Sequence, residues 1–173
     1  MSDHVLTPYL GDVDRLKQVY SEYPSGIAAL GAVVDGEEVL MIASSFTVGI
    51  SYEPPLCSVA IQRSSQSWPR LRRAASIGVS GLGADHVGSV WQLASRKRDH
   101  RLDDLSATRT EAGALLLHGA TAWMECVPAG EYDAGDHVLV LFEVRSTHIE
   151  PETSPLIMHR GRVFEPVPAI RTG

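Results

Sequence analysis

The sequence predicts a mainly β protein, an antiparallel barrel with helices inserted at its edge. Three observations carry that expectation. Apolar, β-branched runs recur along the whole of the 173-residue chain. Tight-turn residues such as Asp35-Gly36 separate many of them. Helical periodicity is confined to a few short stretches, so the strand–helix alternation of a doubly wound parallel sheet is missing.

The elements follow in order. Residues 12–23 predict a helix, with Val13, Leu16, Val19, Tyr20 and Tyr23 at helical spacing and Asp12 as N-cap. Pro24 stops it. Ile27 to Val34 and Val39 to Ser45 predict a hairpin about Asp35-Gly36. Val48 to Tyr52 is a further strand, Glu53-Pro54-Pro55 breaks it, and Leu56 to Gln62 is the next. Ser67 is placed to cap a short helix running to about Ala75, with Pro69 in its first turn. Ile77 to Leu82 is again a strand. Asp85 is placed to cap an amphipathic helix with Val87, Val90, Trp91 and Ala94 on one face. Residues 96–112 are charged and predict an exposed loop. Ala114 to Leu117 is a short strand. Thr121 to Ala134 predicts a long strand bent by Pro128 and Gly130. His137 to Ile149 is the longest strand-like run, and Leu156 to Phe164 a final hairpin. The tail from Pro166 predicts irregular structure. There is no internal repeat.

Length and composition narrow the class. A chain of this size predicts one domain over 1–173, with its core over about 20–165. It is 44% hydrophobic and 21% charged, the balance of an ordinary globular protein. A net charge of -6 argues against nucleic acid as a partner, because phosphate binding needs a basic face. The basic cluster Arg96-Lys97-Arg98 with Arg101 reads as a solvated helix end. Cys57 and Cys126 lie in apolar runs and read as free buried thiols, since their spacing fits no zinc motif. No charged-then-apolar leader and no long apolar stretch is present, which predicts a cytoplasmic protein with no membrane partner.

Few residues carry chemistry. Ile42-Ala43-Ser44-Ser45-Phe46-Thr47 places hydroxyls and backbone N–H groups beside an aromatic ring, the surface a flavin and its ribityl chain need. The same run also reads as an ordinary polar strand end. Ser64, Ser65, Ser67 and Trp68 lie at a predicted helix start, where unpaired N–H groups suit a phosphate and Arg63 adds charge. The alternative there is a plain N-cap at Ser67. His137 opens a strand and reads either as a site histidine or as one bonded to backbone. His86, His100, His118 and His148 have no ligand spacing. A Gly-x-Gly-x-x-Gly dinucleotide fingerprint, a nucleophile elbow and a metal cluster are all missing.

Six segments in order resemble one family. These are Tyr23-Pro24-Ser25-Gly26-Ile27, the run from Ile42 to Thr47, and Glu53-Pro54-Pro55-Leu56. Gln62-Arg63-Ser64-Ser65 with Trp68 follows, then Gly135-Asp136-His137 with Glu143-Val144. Pro155-Leu156 through Arg160-Gly161-Arg162 closes the set. Together they resemble the short-chain flavin reductases, whose fold is the Greek-key, FMN-binding split barrel. Each segment is short, and their specificity lies in the shared order over roughly residues 20–165.

The resemblance implies an NAD(P)H:flavin oxidoreductase. Its cofactors would be FMN or FAD with NADH or NADPH as donor. It also implies a homodimer that supplies reduced flavin to a partner monooxygenase. His137 would be the catalytic residue, near flavin and nicotinamide. The flavin contacts implied are Pro24, Ser25, Ile42, Ala43, Ser44, Ser45, Phe46, Ala60, Ile61, Gln62, Ser64, Ser65, Ser67, Trp68, His159 and Arg160. Among these, His159 and Arg160, with Arg162, resemble the segment that approaches the dinucleotide. Some positions depart from the family pattern. Ile42 stands where a threonine is frequent, Gln62 where asparagine is usual, and Ser80-Gly81 where an Asn-aliphatic pair is typical. Phe142 stands where a small residue is common, and is expected to narrow the nicotinamide side. Phe142 and Ile42 motivate the alternative of a flavin carrier or electron-transfer protein without turnover.

Overall fold

The computed structural model describes residues 6–97 and 100–166. Helix α1 (Val13–Ser21) begins where expected, with the Arg15 backbone N–H donating to Asp12 Oδ1 at 3.0 Å. Strands β1 (Ser25–Gly26), β2 (Ala28–Val34), β3 (Glu37–Ala43), β4 (Thr47–Tyr52) and β5 (Pro55–Gln62) follow. Asp35 and Gly36 both take positive φ, 53° and 82°, the geometry of a two-residue hairpin turn whose twist matches its strands. Next come α2 (Trp68–Leu71), β6 (Ile77–Gly81) and α3 (Val90–Leu93). The chain ends in β7 (Ala107–Arg109), β8 (Leu115–Leu117), β9 (Ala122–Ala134), β10 (His137–Ile149), β11 (Ile157–His159) and β12 (Arg162–Phe164).

Seven strands form one antiparallel sheet in the order β3-β2-β6-β9-β10-β5-β4. Beside it are a three-stranded sheet, β1-β11-β12, and a β7-β8 pair. The large sheet is open, with β3 and β4 as its edges, so its ladders do not close it into a barrel.

Both faces of β2 are buried, which explains its unbroken apolar run. Leu30 and Ala32 join Val59, Ile61, Leu71, Val79, Val140 and Phe142 in one core. Ile27 and Ala29 join Leu40, Leu82, Val90, Leu93, Leu115 and Leu117 in a second. Strand β8 lies close over the sheet. A Cβ on Gly78 would stand 2.2 Å from the Leu115 carbonyl oxygen, so the approach requires glycine. Both cysteines are free and buried, and contact with the Cys57 thiol pushes the Cys126 thiol up, with burial adding.

Strand β9 is the long strand expected, Ala122–Ala134, with its irregularity at Pro128 and Gly130, beyond the part paired with β6, Ala122–Cys126. Opposite it the register shifts between Leu141 and Phe142, which leaves Ala129 as the extra residue of a bulge. The helix expected from Asp85 is a 3-10 turn, Ala84–His86, followed by the single-turn α3. Val90 and Leu93 are buried while Val87 and Trp91 are exposed. The segment 96–112 is not wholly loop, since it contains β7, and Leu102, Leu105 and Ala107 pack on the second core. The apolar stripe of α1 is not buried, and Val13, Val19 and Tyr20 are exposed. Arg98 and the tail beyond Pro166 lie outside the described residues. No helix among the described residues is long and apolar enough to cross a membrane.

Candidate functional site

A cleft of about 630 Å³ opens where the end of β3 faces β5. Its first wall is Met41 to Ser45. Ser45 sits in the short link after β3, and its hydroxyl donates to the Ala60 carbonyl at 2.8 Å, tying that link to β5. Ala60, Ile61 and Gln62 form the second wall, at the end of β5. The Ser64 hydroxyl donates to Gln62 Oε1 at 3.4 Å, which leaves the Gln62 amide N–H₂ as that side chain's donor. Gln66 and Ser67, with Ser64 and Ser65, close one end, and Leu93, Ala94, Arg96 and Arg101 line the side below α3.

His137 reaches the cleft from the first position of β10, opposite Gln62 in the ladder. Its Nδ1 lies 2.7 Å from Asp136 Oδ1. The hydrogen bond to His137 holds the Asp136 carboxyl below its ordinary range. A carboxylate accepting at Nδ1 sets the tautomer and leaves Nε2 as the other ring nitrogen for a ligand.

The start of α2 differs from its sequence reading. The Ser67 side chain makes no cap bond. The Trp68 N–H instead donates to Ser65 Oγ at 3.2 Å, while Ser67 Oγ accepts from Arg101 Nη1 at 3.0 Å. Arg101 also donates to the carbonyls of Leu40 and of Ser95, the latter at 2.7 Å. Sequence reading placed Arg101 and Arg96 on a solvated helix end, yet both line the cleft. The available signal was their clustering in an acidic chain.

The cleft thus gathers Ile42, Ala43, Ser44, Ser45, Ala60, Ile61, Gln62, Ser64, Ser65, Ser67 and His137. Six other candidates do not line it. Phe46 packs on the first core. Trp68 is buried there too, its ring edge-on to Phe142 at 6.1 Å between centroids. Phe142 is fully buried, so it does not narrow the cleft. Pro24 and Ser25 lie at β1, where Ser25 pairs with Met158 of β11. His159 and Arg160 lie at the β11–β12 turn. Arg160 and Gly161 have φ of 49° and 68°, a two-residue hairpin turn. The Arg160 guanidinium holds Glu22 through Nε at 2.9 Å to each oxygen, and His159 Nε2 lies 3.7 Å from the same carboxylate. Arg160 lowers the Glu22 carboxyl below its ordinary value.

The cleft fits a flavin. Its volume falls within the roughly 300–1,000 Å³ usual for small-molecule sites, and apolar walls alternate with hydroxyl, amide and guanidinium groups. Among the described residues no cluster has the composition of a metal site.

Comparison with known proteins agrees. The family model described as "Flavin reductase like domain" matches residues 20–166. A flavin reductase of Pseudomonas putida is 33% identical over 151 residues, covering 87% of this chain and 88% of its own. The reductase subunit HsaB of a flavin-dependent monooxygenase of Mycobacterium tuberculosis is 26% identical over 152 residues, covering 87% of this chain and 80% of its own. Among solved structures, the NADH:FAD oxidoreductase SgcE6 of Streptomyces globisporus, in complex with NAD and FAD fragments, superposes with a TM-score of 0.86. It is 27% identical, covering 95% of this chain and 98% of its own. On its sequence match, its sheet and its cleft, this chain belongs to the flavin reductase like family.

Proposed function

We propose that this chain is an NAD(P)H:flavin oxidoreductase that supplies reduced FMN or FAD to a partner monooxygenase. The observation that carries the reading is the cleft between β3 and β5 with His137 at its edge. The relatives named as flavin reductases and as a monooxygenase reductase subunit support the activity and the partner. A bound flavin supplies the hydride acceptor for the nicotinamide, so the protein's task is positioning.

Individual side chains have distinct tasks in this reading. The Ser45 proton is committed to the Ala60 carbonyl, so its hydroxyl offers lone pairs to a ribityl hydroxyl. The Gln62 amide donates to a carbonyl of the flavin's pyrimidine edge. His137, fixed through Asp136, orients the carboxamide of the nicotinamide or holds a proton beside it. Ile42 offers only backbone and apolar surface, and the hydroxyls of Ser44 and Ser45 take the polar contacts.

The seven-stranded sheet is, in this reading, the opened barrel of the split-barrel fold. The protein is a homodimer, supported by the exposed apolar residues of α1 and of edge strand β4, where Val48 and Ile50 are uncovered. Pro24, Ser25, His159 and Arg160 then meet the cofactors in the assembled protein rather than inside the cleft of one chain. Use of a free nicotinamide donor suits a cytoplasmic location.

The test is steady-state oxidation of NADH and of NADPH with added FMN or FAD. Turnover with either donor is expected. Tight flavin binding without oxidation of either donor would instead support a carrier. That alternative has lost one motive, because Phe142 lies in the core.

A further inference from the structure

His137 is the first residue of β10, and the link that delivers it is short and exposed. Ala134 and His137 face each other across the ladder, so Gly135 and Asp136 form a two-residue turn. Gly135 has φ of 63°, the positive value such a turn takes at its first position. Asp136, which bonds the His137 ring, is therefore itself a turn residue. Connecting segments are more mobile than the strands they join, so this turn needs a brace if His137 is to keep one place. Arg63 supplies the brace from outside the hairpin. It follows Gln62 at the end of β5, and its backbone N–H donates to the Asp136 carbonyl at 3.0 Å, one step past the His137–Gln62 rung. Its Nε donates to the Gly135 carbonyl at 3.0 Å, and its Nη2 to Asp133 Oδ1 at 2.6 Å. Asp133 lies in β9 before the turn, so the bonds of Arg63 span the turn and the strand that enters it. Arg63 is not among the residues lining the cleft. Its guanidinium is directed to the turn rather than to the phosphate that its sequence position suggested.

We propose that Arg63 is a positioning residue for the reaction: by clamping the Gly135-Asp136 turn it sets where the His137 imidazole meets the nicotinamide. This rests on the placing of His137 at the nicotinamide side in the proposed function. The guanidinium suits the task because its planar fork holds Nε and Nη2 in fixed relation, so one rigid group spans two acceptors. The Arg63–Asp133 pair is largely exposed, so it contributes little to stability. Its effect falls on geometry instead, where a displacement of about 1 Å can cost roughly a hundredfold in rate.

A double-mutant cycle on kcat, with flavin affinity read in parallel by fluorescence quenching, tests this. Arg63→Ala keeps the backbone N–H and removes both guanidinium bonds. Its kcat for NADH or NADPH oxidation with FMN should fall about fivefold to twentyfold, with FMN affinity held within about twofold. In a His137→Ala background the same substitution should cost less than about twofold more, because the group it positions is gone. Arg63→Lys, which keeps the charge but not the fork, should restore only part of the loss. Asp133→Ala removes one acceptor and should give a smaller fall in the same direction. It serves in place of Arg63→Ala if that variant does not fold, and an unchanged kcat there overturns the inference. An unchanged kcat in Arg63→Ala does so too. A loss of equal size with and without His137 gives Arg63 a task of its own, and a matching loss of FMN affinity puts it at the flavin. Either result overturns the inference and leaves the proposed function standing. No turnover with either donor in the unaltered protein would overturn both.

Discussion

The cleft between β3 and β5 and the surface made by α1 with β11 and β12 use their polar side chains differently. In the cleft, Ser45, Arg101 and Ser67 bond to backbone carbonyls and to one another, and so hold a concave wall open. On the α1 surface, Arg160, His159 and Glu22 are spent on each other. Both regions contain segments that resemble the family. Within one chain only the first gathers its residues around a space. A shared motif order therefore locates segments, while the hydrogen-bond partners decide which of them can meet a ligand.

The cleft wall rests on a packed core, whereas α1 buries none of its residues. Gly78→Val tests this most severely, since a Cβ there meets the Leu115 carbonyl oxygen at 2.2 Å. A loss of about 3 kcal/mol or failure to fold is expected, read by urea denaturation. Stability unchanged would show that β8 is not pressed against β6.

Within the cleft, His137→Ala should lower kcat by about tenfold to a hundredfold, the scale of positioned acid–base and orienting groups. Flavin affinity should stay within about threefold, because His137 acts on the nicotinamide side. An equal loss in flavin binding would move His137 to the flavin.

His86 is buried beside the Gly83–Pro155 bridge. The Gly83 N–H donates to its Nδ1 at 3.2 Å. Burial pushes its imidazole below the ordinary value of 6.5. The unfolded chain thus binds this proton more readily, so the contribution is complete above that ordinary value and is lost as pH falls through it. Melting temperature should decline from pH 7.5 to about pH 5.5. His86→Gln should flatten that decline, and an unchanged slope would assign it elsewhere.

The smallest effect is expected at the α1 surface. Glu22→Gln breaks an exposed pair, so melting temperature should be unchanged. A clear fall would show that the pair supports the fold and erase the contrast.

The sequence made part of this legible. The Asp35-Gly36 turn and the extent of β10 are local signals, set by turn chemistry and strand composition, and both are found as expected. The Asp85 helix was not legible, because a stripe at helical spacing does not say which member faces the core. Trp91 is exposed and Leu93 buried. Ser44, Ser45 and His137 were legible through motif order. Arg101 was not, since its role depends on Leu40 and Ser67, distant positions that only the fold brings beside it.

The central claim is that the cleft holds the flavin for reduction by a nicotinamide. Anaerobic mixing of NADH or NADPH with the FMN-loaded protein, read by loss of the flavin's visible absorbance, tests it most directly. A parallel run with Ser44→Trp places a large ring at an exposed position of the cleft wall. Rapid bleaching by at least one donor in the unaltered protein, with bleaching and FMN binding both lost in Ser44→Trp, is the predicted result. Bleaching that persists at the same rate in Ser44→Trp, or none with either donor in the unaltered protein, would contradict the account.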